Sequence, residues 1–384
     1  MQLTPLVAAA RRAADPLLVL AAVVNVVLYV AHVHSLFKEN DFRLYYAGAQ
    51  VALTHGWSHV YDLRLQQAAV AGLQPAGHFW ALLTPVPIVW LMVPLTALPY
   101  AAAYWVWCGF LAALLVATFA ICAPAVGRRR YWLWALGLGP VLFSLYLGQA
   151  TVIVAFAVAA GWRLCRSGRD GWAGVALSLM AVKPHLAVLV PICLLVSGRP
   201  RAFLTWLGIS AGLALLSVVS VGVDGTLLYL RQVQAPQPYT DVAEILYGQL
   251  GAGALAHLGQ LAGAALAVVA AWRQRDRGPH VAVAAGVLGS YLLASYWHPQ
   301  DFLPLTAVAA VQLGAGVEPL SLAFAALVTV CTSPINWLAT EGPVPLFNAA
   351  TVLFAIGWLL YLVAPAAAFV PAGRTVKGTE SPTA

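Results

Sequence analysis

The sequence predicts an all-α polytopic membrane protein with about twelve transmembrane helices. Hydrophobic residues make up 62% of the chain and charged residues only 9%, and the mean hydropathy is +0.84. A soluble core could not bury this much apolar surface. The apolar segments run well beyond the roughly 10 residues that a transmembrane β-strand needs, which favours helices over a barrel. No stretch between them is long enough for a soluble domain, so we expect one transmembrane domain over residues 1–384.

The first transmembrane helix is expected near residues 17–36, after Arg11 and Arg12. Its length of about 20 residues suits a span, and no small-residue cleavage site follows it, so it is not expected to be a signal peptide. Further spans are expected near 100–123, 131–147, 149–165, 202–221, 251–272, 280–297, 303–317, 319–338 and 345–369. The apolar segment 79–99 contains four prolines and is predicted to be re-entrant or only partly inserted.

The segment 171–198 is too long for one ordinary span and is interrupted by Lys183 and Pro184. Proline removes a backbone hydrogen bond and disfavours helix at the residue before it. We therefore predict a hairpin of two half-length helices that meet at residues 183–185.

The basic residues predict the orientation of the chain in the membrane. With the N-terminus inside, the cytoplasmic side holds all but five of the 20 lysines and arginines. The exceptions are Lys38, Arg43, Arg64, Lys183 and Arg231. This asymmetry follows the positive-inside rule and places a tail, residues 370–384, in the cytoplasm. It also explains the net charge of +7 better than a nucleic-acid partner does, so no nucleic acid is expected.

Residues 37–78 are predicted to form an outer loop with amphipathic helices. From Asp41 to Thr54 the apolar residues recur every three or four positions, which is typical of a helix lying along the membrane surface. Asp62 is expected to begin a second short helix. An alternative to a chemical role for Asp41 is that Asn40 or Asp41 caps the first of these helices.

The predicted topology brings four polar segments to the outer face. They are Asp41 with the residues after it, Gln149, the segment 183–185, and the segment 298–301. Ionisable groups at membrane depth are costly and usually line a cavity or pair with one another. This convergence predicts a functional site at the outer surface.

Lys183 is expected to meet an anion, because a buried unpaired ammonium is unfavourable. The anion is either a ligand phosphate or a carboxylate in an intramembrane ion pair, with Asp41, Asp62 and Asp301 as the candidates. The default interpretation of His298, and of His185, is an ordinary histidine that satisfies its hydrogen bonds near the interface. No metal-ligand spacing and no phosphate-binding glycine loop is present, so neither a metal nor a cofactor is expected.

Several of these segments together resemble glycosyltransferase family 87. The resemblance rests on Asp41 followed by Tyr45, Tyr46 and GWSHVYD (56–62), then VPLTALP (93–99), LGQAT (147–151), AVKPH (181–185) and YWHPQD (296–301). It implies a GT-C-type bundle of transmembrane helices and an inverting mannosyltransferase. Such an enzyme takes its sugar from a polyprenyl phosphate donor and transfers it to a lipid or glycan hydroxyl.

The resemblance also implies roles for individual residues. Asp41 takes the position of the general base, which removes the proton of the acceptor hydroxyl. Lys183, with His298 or Arg43, would neutralise charge on the donor phosphate. The other expected substrate-binding residues are His185, Gln149, Tyr45, Tyr46 and Asp62. The active site would face the periplasm or exterior from the cytoplasmic (inner) membrane, in contact with membrane lipids.

Two other classes of function compete with this interpretation. A lipid or sugar transporter or flippase could use Lys183 and the broken hairpin as a binding site at the membrane midplane. Transporters of that kind usually contain internal repeats, and the two halves of this chain show no convincing self-similarity. The other alternative is a non-catalytic membrane subunit with the same fold.

Overall fold

The computed structural model of the protein describes residues 4–33, 40–73, 79–234, 250–251, 253–332 and 345–364. The predicted tail at 370–384 and the two ends of the predicted outer loop, 37–39 and 74–78, lie outside these ranges. The described part of the chain is helical and contains no strand. The prediction of an all-α protein is therefore confirmed for these residues.

Sixteen α-helices form the described structure. They are α1 (Thr4–Val33), α2 (Phe42–His55), α3 (Leu63–Leu73), α4 (Pro87–Met92), α5 (Tyr100–Cys122), α6 (Arg128–Gly137), α7 (Gly139–Leu147), α8 (Thr151–Arg166), α9 (Asp170–Ser178), α10 (Leu189–Val196), α11 (Pro200–Gln234), α12 (Ala254–Arg273), α13 (Pro279–Leu293), α14 (Leu303–Ala315), α15 (Pro319–Cys331) and α16 (Pro345–Val363). Short 3₁₀ helices lie at Trp57–His59, Val93–Ala97, Leu179–Val182, Pro184–Leu186, Arg275–Arg277 and Pro299–Phe302.

Three of the described helices, α5, α11 and α12, are long and apolar enough to cross a membrane. Six shorter apolar helical stretches of 10–17 residues accompany them. The longest helix, α11, leaves many apolar side chains exposed, including Leu204, Leu215 and Val219. Large exposed apolar surface of this kind suits contact with lipid. The count of about twelve spans stays a prediction.

Two predicted boundaries are wrong. The span expected at 131–147 is two helices, α6 and α7, because Leu138 is extended and Pro140 lies in the first turn of α7, where it cannot continue the preceding helix. The segment between the spans expected near 202–221 and 251–272 is helical up to Gln234. Gly222, with φ of 70°, divides α11 into two helical stretches rather than ending it.

The turn that contains Lys183 is held in place by the packing of α10 against α13. A Cβ atom on Gly286 of α13 would lie 2.5 Å from the Cα of Val190, so only glycine allows this approach of the two helices. The hydroxyl of Ser290 also accepts a hydrogen bond from the backbone N–H of Leu189, at 3.0 Å. This contact fixes the start of α10, and therefore the preceding turn, against the C-terminal half of α13.

The helix predicted from Asp41 to Thr54 is present as α2, but it does not lie on the surface along its whole length. Residues 42–49 are all buried, on every side of the helix. They pack against α4, the 3₁₀ helix after it and α3. The first half of α2 is therefore part of the core, whereas its last turn, from Leu53 to His55, is exposed.

Candidate active site

The start of α2 and the turn after α7 meet at Gly148. This glycine has φ of 67°, and a Cβ atom on it would lie 2.8 Å from the Cβ of Phe42. The backbone N–H of Asp41 donates to the carbonyl of Leu147 at 3.0 Å. A residue with a side chain at position 148 would be strained in conformation and would separate the two segments. Gly148 therefore brings Gln149 next to Asp41.

The cap of α2 is supplied by Asn40 and not by the carboxylate of Asp41. Asn40 Oδ1 accepts the backbone N–H of Arg43 at 3.0 Å and the hydroxyl of Tyr100 at 3.0 Å. Asp41 makes no capping hydrogen bond with its side chain. Of the two capping residues considered from the sequence, Asn40 takes the role, and the half-buried Asp41 carboxylate is left for other contacts.

A polar cluster is formed by Asp41, Tyr45, Gln149, Thr151, Lys183 and Asp301. Gln149 connects the positive and negative groups of this cluster. Its Oε1 accepts from the hydroxyl of Tyr45 at 3.0 Å and lies 3.4 Å from Lys183 Nζ, while its Nε2 donates to Asp41 Oδ2. Thr151 Oγ1 lies 3.5 Å from the same Oε1. An ammonium can only donate, so the amide oxygen must face Lys183 and the amide N–H must face Asp41. The amide therefore favours the ionised form of the Asp41 carboxylate.

Lys183 forms a buried ion pair with Asp301. The ammonium donates to Asp301 Oδ1, and the side chains of the two residues are 9% and 0% exposed. Asp301 Oδ1 also accepts from Thr151 Oγ1 at 3.0 Å, and Oδ2 accepts the backbone N–H of His298 at 3.2 Å. Of the anions considered for Lys183, Asp301 is thus its partner in this structure, and Thr151 and the backbone of His298 donate to the same carboxylate.

The two carboxylates of the cluster are held in different electrostatic states. Burial raises the pKa of Asp41 above its ordinary value of 3.8, and the charge of Lys183 and the hydrogen bond from Gln149 oppose this rise only in part. Burial would also raise the pKa of Asp301, but the positive charge of Lys183 holds it below the ordinary value. Environments that push two acids apart in this way typically separate a proton acceptor from a permanent anion.

A half-buried wall of aromatic and imidazole rings lies beside the ion pair. Tyr296 stands between two histidines, with ring-centroid distances of 5.0 Å to His185 and 5.5 Å to His298. The Nε2 atom of His185 is buried and has no hydrogen-bond partner among the described residues. Burial lowers the pKa of His298, so its ring is neutral at physiological pH. Both rings can offer a polar nitrogen to a ligand next to Lys183.

Three residues expected at the site lie elsewhere. Arg43 is fully buried on α2 beside Asn40 and interacts electrostatically with the Tyr100 hydroxyl. The Tyr46 hydroxyl donates to the carbonyl of Leu98, at 2.9 Å, on another side of α2 from Tyr45. Asp62 Oδ1 accepts the backbone N–H groups of residues 64 and 65, at 2.9 and 3.3 Å, and so caps α3.

The tyrosines of α2 offer no open ring for stacking on a sugar. Tyr45 is 2% exposed and Tyr46 is 4% exposed. Tyr46 packs its ring against Phe42 and Tyr100, with centroid distances of 5.8 and 5.5 Å. Both rings are therefore part of the core beneath the site. They point to different sides of α2, because consecutive residues of a helix lie about 100° apart around its axis.

Sequence reasoning missed the role of Thr151 and gave Asp301 only as a possible ion-pair partner. Thr151 lies two residues after Gln149 in LGQAT, and its hydroxyl donates to Asp301 and lies 3.5 Å from the amide oxygen of Gln149. A threonine at the start of an apolar helix carries no distinctive signal, because its usual role there is to interact with the backbone.

The chain is similar to a known protein family over most of the helices around this cluster. A model of glycosyltransferase family 87 matches residues 83–295, which is more than half of the chain. The matched range includes Gln149, Lys183 and His185, begins after Asp41 and ends before His298. Comparisons with curated proteins and with solved structures find no match.

Proposed function

The chain belongs to glycosyltransferase family 87 and is a membrane glycosyltransferase, and on this premise we propose which reaction it performs. It transfers a hexose, with mannose as the expected sugar, from a polyprenyl phosphate to a hydroxyl of a lipid or glycan. The site faces the periplasm or exterior side of the cytoplasmic membrane. Family membership favours transfer over the transport of a lipid or sugar.

Asp41 is the proposed general base, and the observation that carries this proposal is the separation of the two carboxylates. The acceptor hydroxyl attacks the anomeric carbon, the bond from that carbon to the phosphate oxygen breaks, and the hydroxyl proton passes to Asp41. The lipid phosphate leaves with the bonding electron pair. Asp301 is held ionised by Lys183 and is poorly placed to accept a proton, whereas Asp41 has a raised pKa and, among the described residues, no cation bound directly to it.

Lys183 is proposed to contact the departing phosphate while it remains paired with Asp301. An ammonium has three N–H groups, and Asp301 and Gln149 account for two of them. The third, together with the ring nitrogens of His185 and His298, can donate to phosphate oxygens on the side of Tyr296. Preorganised donors of this kind stabilise negative charge that develops in the transition state.

The proposed reaction is tested with the purified full-length protein, radiolabelled polyprenyl phosphate mannose and a total membrane lipid extract. We expect label to appear in a new lipid, whose identity would then give the acceptor class. If donor binds but no lipid is labelled, the proposal of mannose transfer to a lipid is wrong. Movement of intact donor across a vesicle membrane without a new glycosidic bond would instead indicate a transporter.

The rate of sugar transfer is expected to fall on acidification, with a midpoint above pH 3.8. Asp41 acts as a base only when it is ionised, and burial raises its pKa above that ordinary value. Gln149→Met removes the N–H that favours the ionised carboxylate, so the midpoint should move to higher pH. The measurement is the pH profile of kcat/KM for the two proteins.

Tyr46→Phe is the control for this pH experiment. It removes a hydroxyl from the same helix, but one bonded to Leu98 and not to the cluster. Its pH profile should coincide with that of the wild type. An acidic midpoint that does not respond to Gln149→Met, or that responds equally to Tyr46→Phe, would contradict the assignment of the midpoint to Asp41.

The orientation of the site can be tested by cysteine labelling in intact cells. The five native cysteines are all buried, so they should give little background. His59 and Ser167 are both exposed, and the charge asymmetry puts them on opposite sides of the membrane. We expect an impermeant thiol reagent to label His59→Cys in intact cells and Ser167→Cys only after permeabilisation. The reverse pattern would invert the topology.

A further inference from the structure

A cavity lies between the start of α3 and the last turns of α11. Its volume is about 480 Å³. Residues 61–64 form one wall, and Leu228, Arg231 and Gln232 form the other. The proposed transfer reaction assigns no role to this cavity.

The two walls of the cavity are held together by specific contacts. The rings of Tyr61 and Tyr229 lie 4.8 Å apart between centroids, and Gln232 Nε2 donates to the carbonyl of Tyr61. Gly225 approaches the backbone of Ser58 so closely that a Cβ atom there would lie 3.0 Å from its carbonyl oxygen. These contacts hold the two walls of the cavity in a defined arrangement.

The cavity carries excess positive charge. Arg64 and Arg231 are exposed, and neither forms a salt bridge or side-chain hydrogen bond with any residue in the part of the chain that the structure describes. Among the described residues of its lining, Asp62 is the one acidic group, and one of its carboxylate oxygens caps α3. The two arginines are also among the five basic residues that depart from the charge asymmetry of the sequence. Their convergence indicates an anionic ligand.

Exposed apolar side chains surround the charged cavity. Leu63 on α3 and Leu227 and Leu230 on α11 are each 45% exposed. A phosphate with attached acyl chains would satisfy both the arginines and these leucines, whereas a small soluble anion would leave the leucines in water. The combination of a basic pocket with an adjoining apolar surface favours a lipid as the ligand.

The cavity is separate from the Asp41 cluster. Helix α2 runs from residue 42 to residue 55, which corresponds to about 20 Å, and the cavity wall follows its C-terminal end. A phosphate in this cavity would therefore be distinct from the phosphate that would leave at Asp41.

We propose that this cavity binds the phosphate of an anionic membrane phospholipid. Arg64 and Arg231 contact the phosphate, and Leu63, Leu227 and Leu230 contact the acyl chains. The bound lipid joins the outer segment that carries Asp41 to the end of α11.

The proposal is tested with the full-length protein in phosphatidylcholine nanodiscs that contain a minor fraction of photo-crosslinkable phosphatidylglycerol. We expect crosslinks to map to residues 57–73 and 223–234. The double variant Arg64→Gln with Arg231→Gln should lower this labelling by roughly tenfold or more, since each basic residue near a membrane surface strengthens binding of anionic lipid about fivefold. The pair Arg64→Lys with Arg231→Lys should retain most of the labelling, which guards against misfolding as the cause.

A matched control removes two other exposed arginines, Arg128 and Arg129, by substitution with glutamine. Labelling of residues 57–73 and 223–234 should then be unchanged. Equal labelling by a phosphatidylcholine analogue, or undiminished labelling of the Arg64→Gln, Arg231→Gln variant, would overturn the proposal. Displacement of the lipid by millimolar inorganic phosphate would show that the site takes a free anion and would overturn the assignment to a lipid.

Discussion

Asp41→Asn is expected to lower kcat for sugar transfer by about 10²–10⁴ and to leave donor binding intact. The factor is the usual contribution of a positioned general base. Asparagine has nearly the same shape and can still accept the hydrogen bond from Gln149, but it cannot take the proton of the acceptor hydroxyl. Single-turnover transfer and equilibrium binding of the polyprenyl phosphate sugar, measured on the same preparation, separate the two effects.

Asp62→Asn is the matched control for this variant. Asp62 is a carboxylate of the same outer segment, but it caps α3, and asparagine caps a helix as well as aspartate does. Its kcat should therefore stay close to that of the wild type. Wild-type turnover in Asp41→Asn would remove Asp41 from the chemistry, and an equal loss in Asp62→Asn would point to a general role of the outer segment.

Lys183→Met is expected to destabilise the protein by about 3–5 kcal/mol. The reason is that Asp301 is fully buried and would lose its cation, and removal of one partner from a buried ion pair typically has this effect. The double variant Lys183→Met with Asp301→Leu should recover most of the loss, because no uncompensated charge then remains. Unfolding of the purified proteins in one detergent, followed by tryptophan fluorescence, provides the comparison.

Donor binding to the same variants shows whether Lys183 is more than structural. If Lys183 contacts the donor phosphate, the double variant should be stable but should bind donor poorly. Arg130→Met is the comparison for stability, since its pair with Asp15, at 2.6 Å, has side chains that are both 51% exposed, and exposed pairs of this kind contribute little to stability. Wild-type donor affinity in the double variant would leave Lys183 with a purely structural role.

The break at Lys183 and the short helix after Asp62 illustrate what local sequence rules determine. Pro184 cannot donate a backbone hydrogen bond and restricts Lys183, which adopts φ of −155° and ψ of 70° between two 3₁₀ helices. Asp62 caps α3 through its own carboxylate. Both features depend on a few neighbouring residues, so the amino-acid pattern is sufficient to predict them.

The sequence alone could not show which of two neighbouring residues takes which role. Asn40 and Asp41 are both good capping residues, and only the hydroxyl of Tyr100 and the amide of Gln149 decide which side chain caps α2 and which joins the cluster. Tyr45 and Tyr46 are equally aromatic, but the helical rotation between them sends one to Gln149 and the other to Leu98. These partners lie 52 to 108 residues apart in the chain, and only packing brings them close.

The sequence by itself determined that the protein is helical, that it is rich in apolar segments, and that polar residues recur where those segments end. These properties follow from composition and periodicity, which are local. Only the tertiary structure decided that Lys183 pairs with Asp301, that Gln149 links this pair to Asp41, and that Arg64 and Arg231 share a cavity. Each of these contacts joins residues from separate helices, and its geometry depends on close helix packing such as that at Gly148 and Gly286.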